Sequence, residues 1–344
     1  MKEAVVAKGP KVQIIDSPIP QPGPNQIVTK VVYSGSNPKD WKRPEVFSPD
    51  KPPINQGDDI SGIVHAVGPN VSEFKPGDRI AAFHEMMTPG GSYAEYALSW
   101  NHTTFPLPPS TTFSEGAALP LAAMTSAVGL YARLGLPPPW LPCPETTKIP
   151  LVIYGASSAV GSYAIQFAQR SNIHPLICIA GRAQDHVKTL ISPEKGDIII
   201  DYRQDASSIA AGIRSGVPPN QPLLHAFDAV SEKGSYQNIC EVLDSEHGKL
   251  TLVLPGRKYE EVPPGVEKTT TTVGDVHGKL KDFGFVFFRY ISKGLEEGWF
   301  KPHPQEVVPG GLEGVEEGLR NLKEGRASAV KYVFRIADTP GLGQ

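Results

Sequence analysis

The sequence lacks the features that would assign it to several common classes of protein. Its three cysteines are odd in number and far apart, so neither a disulfide framework nor a cysteine zinc site is expected. The most apolar tract, 283–288, is far shorter than the roughly 20 residues that a membrane-spanning helix needs. A net charge of -3 provides no basic surface for nucleic acid. Lys2 and Glu3 interrupt the apolar stretch that a secretion signal would require, so we expect a cytoplasmic protein.

The length and the second half of the chain indicate an α/β protein. At 344 residues the chain is longer than one hydrophobic core usually serves, which favours two domains. From residue 148 onward, apolar runs alternate with helix-like stretches, as in a parallel sheet whose two faces are covered by helices. The predicted strands are 151–154, 175–180, 197–200, 223–228, 249–254 and 268–273, and the predicted helices are 160–170, 186–191, 207–213 and 236–243.

The first 120 residues have a different pattern, with short strands predicted at 28–33, 61–67 and 79–82 between turns rich in proline and glycine. This pattern is typical of a β-rich domain. The segment 137–144 contains five prolines and cannot continue a helix, so it is interpreted as a linker. Two helices and a strand near the end, at 279–297, 315–323 and 331–335, are expected to return to the first domain.

A turn of small residues lies between the first strand of the predicted parallel sheet and the helix that follows it. Such a turn brings free amide groups at a helix N-terminus close to a phosphate, and it requires small side chains where the backbone approaches the ligand. A tight turn without any ligand remains the alternative. The residues predicted to bind a dinucleotide here are Gly155, Ser157, Ser158, Ala159, Val160 and Gly161, and the Ser158 hydroxyl is expected to reach a phosphate oxygen.

The end of the second predicted strand indicates which dinucleotide is bound. An acidic residue at this point would bind the ribose hydroxyls of NAD, but the strand ends in Ala180, Gly181 and Arg182. A guanidinium suits a 2′-phosphate, so NADPH is favoured. Lys188 and Tyr202 are candidates to flank the same phosphate, although a solvated surface charge is an equally ordinary role for Lys188.

Several motifs together resemble the medium-chain dehydrogenase/reductase superfamily. They include Gly57-Asp58-Asp59-Ile60-Ser61-Gly62, Phe74-Lys75-Pro76-Gly77-Asp78-Arg79, Ser34-Gly35-Ser36-Asn37-Pro38-Lys39-Asp40 and the stretches 118–125 and 325–331, in the order that the family has them. The chain is most similar to the quinone reductase and enoyl reductase branch, including trans-acting enoyl reductases of fungal toxin and polyketide pathways.

The resemblance implies a fold, a division into domains and an activity. It implies a doubly wound Rossmann domain over 122–295 and a β-rich, GroES-like catalytic domain formed by 1–121 and 296–344. It adds Val230 and Lys331 to the expected cofactor-binding residues. The implied reaction is transfer of hydride from NADPH to the carbon–carbon double bond of an unsaturated carbonyl compound, by a monomer or homodimer.

The resemblance also bears on metal. Zinc-dependent members of the superfamily hold a catalytic zinc with Cys and His ligands, which supply soft or imidazole donors. The corresponding positions here are Asn37, Asp58 and Leu121, and leucine cannot bind a metal. We therefore expect no metal site.

Without zinc, hydrogen-bond donors must polarise the substrate carbonyl, because negative charge develops on its oxygen. Lys42 is the first candidate, since related enoyl reductases carry a lysine at this point, while Asn37 and Thr125 are weaker candidates. A solvated loop lysine that pairs with Asp40 or Glu45 is the alternative for Lys42. The proton for the α carbon is expected from Lys42 or from water.

Three other functions are considered. A short-chain reductase requires a Tyr-x-x-x-Lys pair, which the sequence does not contain. A non-catalytic NADPH-binding relative would keep the small-residue turn without turnover. A partner of a polyketide synthase would reduce an intermediate that is attached to a carrier domain, and the sequence does not distinguish this from reduction of a small free substrate.

Overall fold

The computed structural model describes residues 1–48 and 50–342. Its strands are β1 (Lys2–Ala7), β2 (Lys11–Asp16), β3 (Gln26–Gly35), β4 (Asp59–Val67), β5 (Arg79–Phe83), β6 (Tyr96–Trp100), β7 (Thr104–Pro106), β8 (Leu151–Tyr154), β9 (Leu176–Ala180), β10 (Ile198–Asp201), β11 (His225–Asp228), β12 (Lys249–Leu252), β13 (Glu267–Thr270), β14 (Gln305–Val307) and β15 (Lys331–Arg335). Its α-helices are α1 (Pro38–Glu45), α2 (Phe113–Gly116), α3 (Pro120–Ala127), α4 (Ala159–Arg170), α5 (Gln184–Lys188), α6 (Ala206–Gly216), α7 (Ser235–Cys240), α8 (Lys281–Glu297) and α9 (Val315–Lys323). No helix within these described residues is long and apolar enough to cross a membrane.

The unit Thr125–Val273 is built on a six-stranded parallel sheet with the strand order β10-β9-β8-β11-β12-β13. The chain winds outward from β8 in one direction and then continues from β11 in the other, which is the doubly wound Rossmann arrangement. The fold class predicted from the sequence is therefore confirmed. The carboxyl ends of β8 and β11 lie side by side at the point where the winding reverses.

The core of this unit explains why its strands contain unbroken apolar runs. Val152, Ile177, Ala226 and Leu250, one from each of four neighbouring strands, are fully buried in a single cluster. Strands that are buried on both faces need apolar side chains in both directions, so the alternation typical of a half-exposed strand is absent. Short runs of residues with high β-strand propensity, separated by helices, therefore form this sheet.

The second unit comprises Met1–Met124 and Gly274–Gln344. It contains a seven-stranded sheet with the order β14-β15-β3-β4-β5-β7, in which β6 also pairs with β3, and a separate hairpin of β1 and β2. Apart from the parallel pair β14 and β15, the strand pairs of this sheet are antiparallel. The β-rich character expected for the start of the chain is thus observed, and the C-terminal strand β15 joins β3.

Helix α8 lies in this unit, as the sequence pattern predicted, whereas the domain bounds implied by the family resemblance put it, up to residue 295, in the Rossmann domain. Its side chains contact β7: Arg289 Nη1 donates to the carbonyl of Thr104 at 2.7 Å, and Ser292 Oγ donates to that of Pro106 at 2.7 Å. The Phe288 ring stacks on Phe105 at 5.4 Å. Periodicity predicts that a helix forms but does not specify which sheet its apolar face covers.

Candidate functional site

The turn from β8 into α4 has the geometry of a phosphate-binding turn. Strand β8 ends at Tyr154, and Gly155 follows in the left-handed region with φ 79°. Ser158 caps the helix, because its Oγ accepts a hydrogen bond from the amide of Gly161 at 3.0 Å. The Ser158 hydroxyl, which the sequence predicts to reach a phosphate, therefore accepts a hydrogen bond at the helix N-terminus, and its own hydrogen remains available as a donor.

Two glycines are required in this turn for steric reasons. A Cβ on Gly161 would lie 2.2 Å from the carbonyl oxygen of Gly155 and 2.7 Å from Cα of Ala156, so the helix start is pressed against the turn. A Cβ on Gly155 would lie 2.6 Å from Cγ2 of Val230. The remaining turn residues, Ser157 to Val160, are partly exposed. Small residues, an α-helix of 12 residues and its N-terminal amides fit a pyrophosphate.

The residues predicted to choose between NAD and NADPH lie at the same edge of the sheet. Arg182 follows β9 and is exposed, and Tyr202 follows β10 and is 45% exposed. The Tyr202 ring covers Gly181, where a Cβ would come within 2.4 Å of Cε1. Lys188 is on α5, and its Nζ donates to Oδ1 of Asp185 at 2.7 Å. The sequence analysis did not predict this ion pair, in which Asp185 partly compensates the charge of Lys188.

Thr125 lies in the last turn of α3 and is buried. Its neighbour Ser126 donates from Oγ to the carbonyl of Val160 at 2.6 Å. This bond joins α3 to the first turn of α4, so the structure places Thr125 beside the small-residue turn. Val230 is also next to this turn, through its contact with Gly155.

The unit that contains β1 to β7 has a buried polar cluster around Asn37, Asp59 and Lys331. Lys331 Nζ donates to Oδ2 of Asp59 at 2.5 Å and to Oδ1 of Asn37 at 3.0 Å. Asn37 Nδ2 donates to the same Asp59 oxygen at 2.8 Å, and the amide of Leu121 donates to Asp59 Oδ1 at 2.6 Å. Both ends of the Asn37 side chain are therefore engaged within the protein.

A second ammonium group lies in the same unit, on the Lys39 side chain, which is 16% exposed. Lys39 Nζ lies 2.6 Å from Oδ1 of Asp40, contacts Oδ2 of Asp58 and donates to the carbonyl of Gln56 at 2.6 Å. Asp40 Oδ2 accepts hydrogen bonds from the hydroxyl of Tyr93 at 2.6 Å and from a backbone amide. Three oxygens thus surround the three hydrogens of one ammonium group.

The charges of this cluster perturb one another. Burial by itself lowers the pKa of Lys39, but the carboxylates of Asp40 and Asp58 outweigh it, so this pKa is raised. Burial raises the pKa of Asp40, Lys39 opposes the rise, and Asp58 adds to it. Burial and the nearby Asp40 raise the pKa of Tyr93 well above its usual value. One ammonium therefore neutralises only part of the charge of two carboxylates.

Lys42 is on α1 and partly buried, and its Nζ lies 5.5 Å from the centre of the Trp41 ring. The carboxylates that the alternative role would use have other partners. Asp40 contacts Lys39, and Glu45 Oε1 accepts from Nζ of Lys323 at 2.5 Å.

The three positions that correspond to zinc ligands hold no set of donors open to a metal. Asn37 is hydrogen-bonded at both ends of its side chain, and Asp58 contacts the Lys39 ammonium. Leu121 has no side-chain donor for a metal, and its backbone amide donates to Asp59. Across residues 1–48 and 50–342, no group of three or more His, Cys, Asp or Glu side chains is arranged to hold a metal ion.

Comparison of the sequence with known proteins identifies relatives along nearly its whole length. Residues 23–109 match the family model of the alcohol dehydrogenase GroES-like domain. The chain is 59% identical over 314 residues to the trans-enoyl reductase fsr4 of Gibberella fujikuroi, covering 91% of this chain and 92% of the relative. It is 30% identical to the trans-enoyl reductase ACTTS2 of Alternaria alternata, covering 96% and 98% of the two chains.

Solved structures share the fold. An alcohol dehydrogenase superfamily protein from Novosphingobium aromaticivorans has a TM-score of 0.78 at 20% identity and covers 97% of this chain and 98% of its own. The CurK enoyl reductase has a TM-score of 0.75 at 17% identity, with 96% and 98% covered. A mycobacterial protein complexed with NADPH has a TM-score of 0.75 at 19% identity, with 97% and 99% covered. At these identities the likeness establishes the fold alone.

Proposed function

The chain belongs to the medium-chain dehydrogenase/reductase superfamily, with fungal trans-enoyl reductases as relatives, and on that premise we propose that it is an NADPH-dependent, zinc-independent enoyl reductase. The observation that carries the proposal is the 59% identity to a trans-enoyl reductase over nearly the whole of both chains. A shared fold supports many activities, so the fold neighbours add less than this relative does. The chain is accordingly an oxidoreductase, and the proposed substrate is an α,β-unsaturated acyl thioester.

NADPH, when bound, supplies the hydride and so the two electrons that reduce the double bond. The amides and small side chains at the start of α4 would hold its pyrophosphate, since a Cβ on Gly161 has no room there. Arg182, at the end of β9, would bind the 2′-phosphate by paired hydrogen bonds. No acidic residue ends β9, which favours the phosphorylated cofactor.

The substrate gains a hydride at the β carbon and a proton at the α carbon, and negative charge develops on its carbonyl oxygen between these two events. We assign Lys42 to stabilise that oxygen, with a value of about 3 kcal/mol for one well-placed donor. Its partial burial supports the assignment, because an ammonium interacts more strongly away from bulk water. Thr125, beside the small-residue turn, is a second donor in this proposal, and Lys331 holds Asn37 in place.

Zinc independence is supported by the chemistry of the side chains at the three positions that correspond to zinc ligands. A cation at Asp58 would have to displace the ammonium of Lys39, and Leu121 offers no side-chain donor. We expect elemental analysis to find less than about 0.1 zinc per chain and expect activity to survive a chelator. Loss of activity in chelator with recovery in zinc would contradict this part of the proposal.

The proposed partner is the carrier domain of a polyketide synthase, a proposal that rests on the similarity to trans-enoyl reductases. The same unsaturated acyl group is offered as a free acid, as a pantetheine thioester and as a carrier-domain thioester. NADPH oxidation is followed by absorbance and the saturated product by mass. We expect the carrier-bound form to react fastest and NADH to be the poorer cofactor. Equal rates for the pantetheine and carrier forms would contradict the carrier proposal, and NADPH binding without turnover on any form would indicate a non-catalytic relative.

A cytoplasmic location, expected from the sequence, is tested by imaging a tagged chain.

A further inference from the structure

A carboxylate without a cationic partner is buried at the carboxyl end of β11. Asp228 is fully buried. Its Oδ1 accepts hydrogen bonds from the amides of Val230 at 2.9 Å and Ser231 at 2.8 Å, and its Oδ2 accepts from Oγ of Ser235 at 2.5 Å. Within the described ranges no Lys, Arg or His pairs with it. Its charge is therefore held by dipoles alone, and the loop 228–235 closes around it.

The position of Asp228 connects it to cofactor binding. Strands β8 and β11 are neighbours, and Tyr154, the last residue of β8, is paired with Asp228. In doubly wound sheets, ligands bind outside the carboxyl ends of the strands where the winding reverses. Cγ2 of Val230 approaches the turn so closely that Gly155 has no room for a side chain. The loop that Asp228 holds therefore forms the side of the small-residue turn.

The same loop contains a backbone conformation that needs support. Ser231 has φ 59°, a region that residues with a side chain rarely adopt. Its Oγ donates to the carbonyl of Asp228 at 3.0 Å and accepts from the amide of Val253, after β12, at 2.8 Å. Such conformations persist where their surroundings fix them, and they concentrate at ligand sites.

The surroundings of Asp228 place its ionisation close to neutral pH. Burial raises the pKa of Asp228 to about 6, and the hydrogen bonds from Ser235, Ser231 and Val230 oppose the rise. The other titratable groups that interact with Asp228 are all acids, namely Glu232, Tyr154, Tyr259 and Cys240. Arg257 lies near this group but contacts Glu232, at 3.6 Å.

We propose that Asp228 is a positioning residue for the dinucleotide. Its ionised carboxylate holds the backbone amides of Val230 and Ser231 beside the Gly155 turn, and protonation of Asp228 weakens these hydrogen bonds. This inference rests on the proposed NADPH dependence. Hydrogen bonds to an ionised acceptor are about twice as strong as those to a neutral one. A protonated carboxyl group also keeps fewer acceptor sites for the three donors that converge on it.

The test compares the dissociation constants of NADP+ for the wild-type chain and Asp228→Asn by calorimetry between pH 5 and pH 8. Asparagine mimics the protonated form, since its Oδ1 still accepts and its amide faces Ser235. The 2′-phosphate of NADP+ also titrates near pH 6, but it affects both proteins equally. The ratio of the two constants thus isolates Asp228. We expect Asp228→Asn to bind about fivefold more weakly at pH 8 and the ratio to approach one at pH 5.

Ser235→Ala provides the second measurement and retains the test if Asp228→Asn fails to fold. Removing the hydroxyl takes away a hydrogen bond that favours the charged carboxylate, so the pH at which NADP+ affinity falls should move upward. A ratio that stays constant from pH 5 to pH 8, or an unmoved midpoint in Ser235→Ala, overturns the inference. If the folded wild-type chain binds no NADP+ at any pH, the proposed function itself fails, which is a distinct result.

Discussion

Replacement of Lys39 by methionine tests the buried charge cluster most directly. The substitution keeps the length of the side chain but removes the ammonium that contacts Asp40 and Asp58, whose side chains are 0% and 2% exposed. Two buried carboxylates would then face each other without a cation. Breaking a buried ion pair from one side leaves an uncompensated charge and costs about 3–5 kcal/mol.

The loss in the free energy of unfolding has an upper limit. One carboxyl group can take up a proton instead of remaining charged, and from the ordinary Asp value of 3.8 this costs about 4 kcal/mol at pH 7, at about 1.36 kcal/mol per pH unit. The same step costs only about 1.6 kcal/mol at pH 5. We therefore expect Lys39→Met to lower the free energy of unfolding by about 3–4 kcal/mol at pH 7 and by less than about 2 kcal/mol at pH 5.

Urea unfolding of the two proteins at both pH values measures these differences. Lys188→Met is the matched control, because Lys188 and Asp185 form an exposed pair with side chains 63% and 93% exposed, and we expect it to cost under about 0.5 kcal/mol. Lys39→Met combined with Asp58→Asn should recover at least half of the loss. A loss below about 1 kcal/mol at pH 7, or an equal loss at both pH values, would refute the reasoning.

Three further predictions concern the cofactor and the reaction. Gly161→Ala places a methyl group 2.2 Å from the carbonyl oxygen of Gly155, an overpacking that costs about 1–3 kcal/mol. It should weaken NADPH binding roughly 5- to 100-fold in a fluorescence titration. Unchanged affinity would contradict phosphate binding at the small-residue turn. Arg182→Leu should raise KM for NADPH about tenfold or more while leaving KM for NADH unchanged. Lys188→Leu should have a smaller effect, because Asp185 already compensates the charge of Lys188. Equal changes in KM for the two cofactors would exclude a 2′-phosphate site at Arg182. Lys42→Met should lower kcat about 100-fold with little change in NADPH affinity, and a change in affinity alone would remove Lys42 from the chemistry.

The parts of the fold that were predicted from the sequence are those in which the signal is local. Strand β8 and the small-residue turn lie within a dozen consecutive residues, so their apolar run, glycines and helix start could be interpreted together. Helix α9 and strand β15 were also located to the residue by periodicity. The hairpin of β1 and β2 was not predicted, because the apolar run of β1 is only four residues long and follows Lys2 and Glu3, while the partly exposed β2 carries Lys11, Gln13 and Asp16.

The buried charges could not be predicted in the same way. Lys331 meets Asp59 across 272 positions of the chain, and Tyr93 meets Asp40 across 53. Nothing local in the sequence links such residues, so a lysine next to an aspartate is interpreted as a solvated pair by default. Lys39 was visible only as part of a motif. The available signal was the pair of consecutive acids, Asp58 and Asp59, at the start of β4.

The two units stabilise their buried carboxylates by different means. Lys331 holds Asp59 as an ion pair. Asp228 has only amides and a hydroxyl around it, and its pKa of about 6 lies within the range that cells experience. Because the folded pKa of Asp228 is raised, its protonated form favours folding, and this contribution is complete below about pH 4 and lost as the pH rises through about 6. Ionised Asp228 therefore costs stability at neutral pH, and that cost is consistent with a carboxylate retained because its charge organises the cofactor loop.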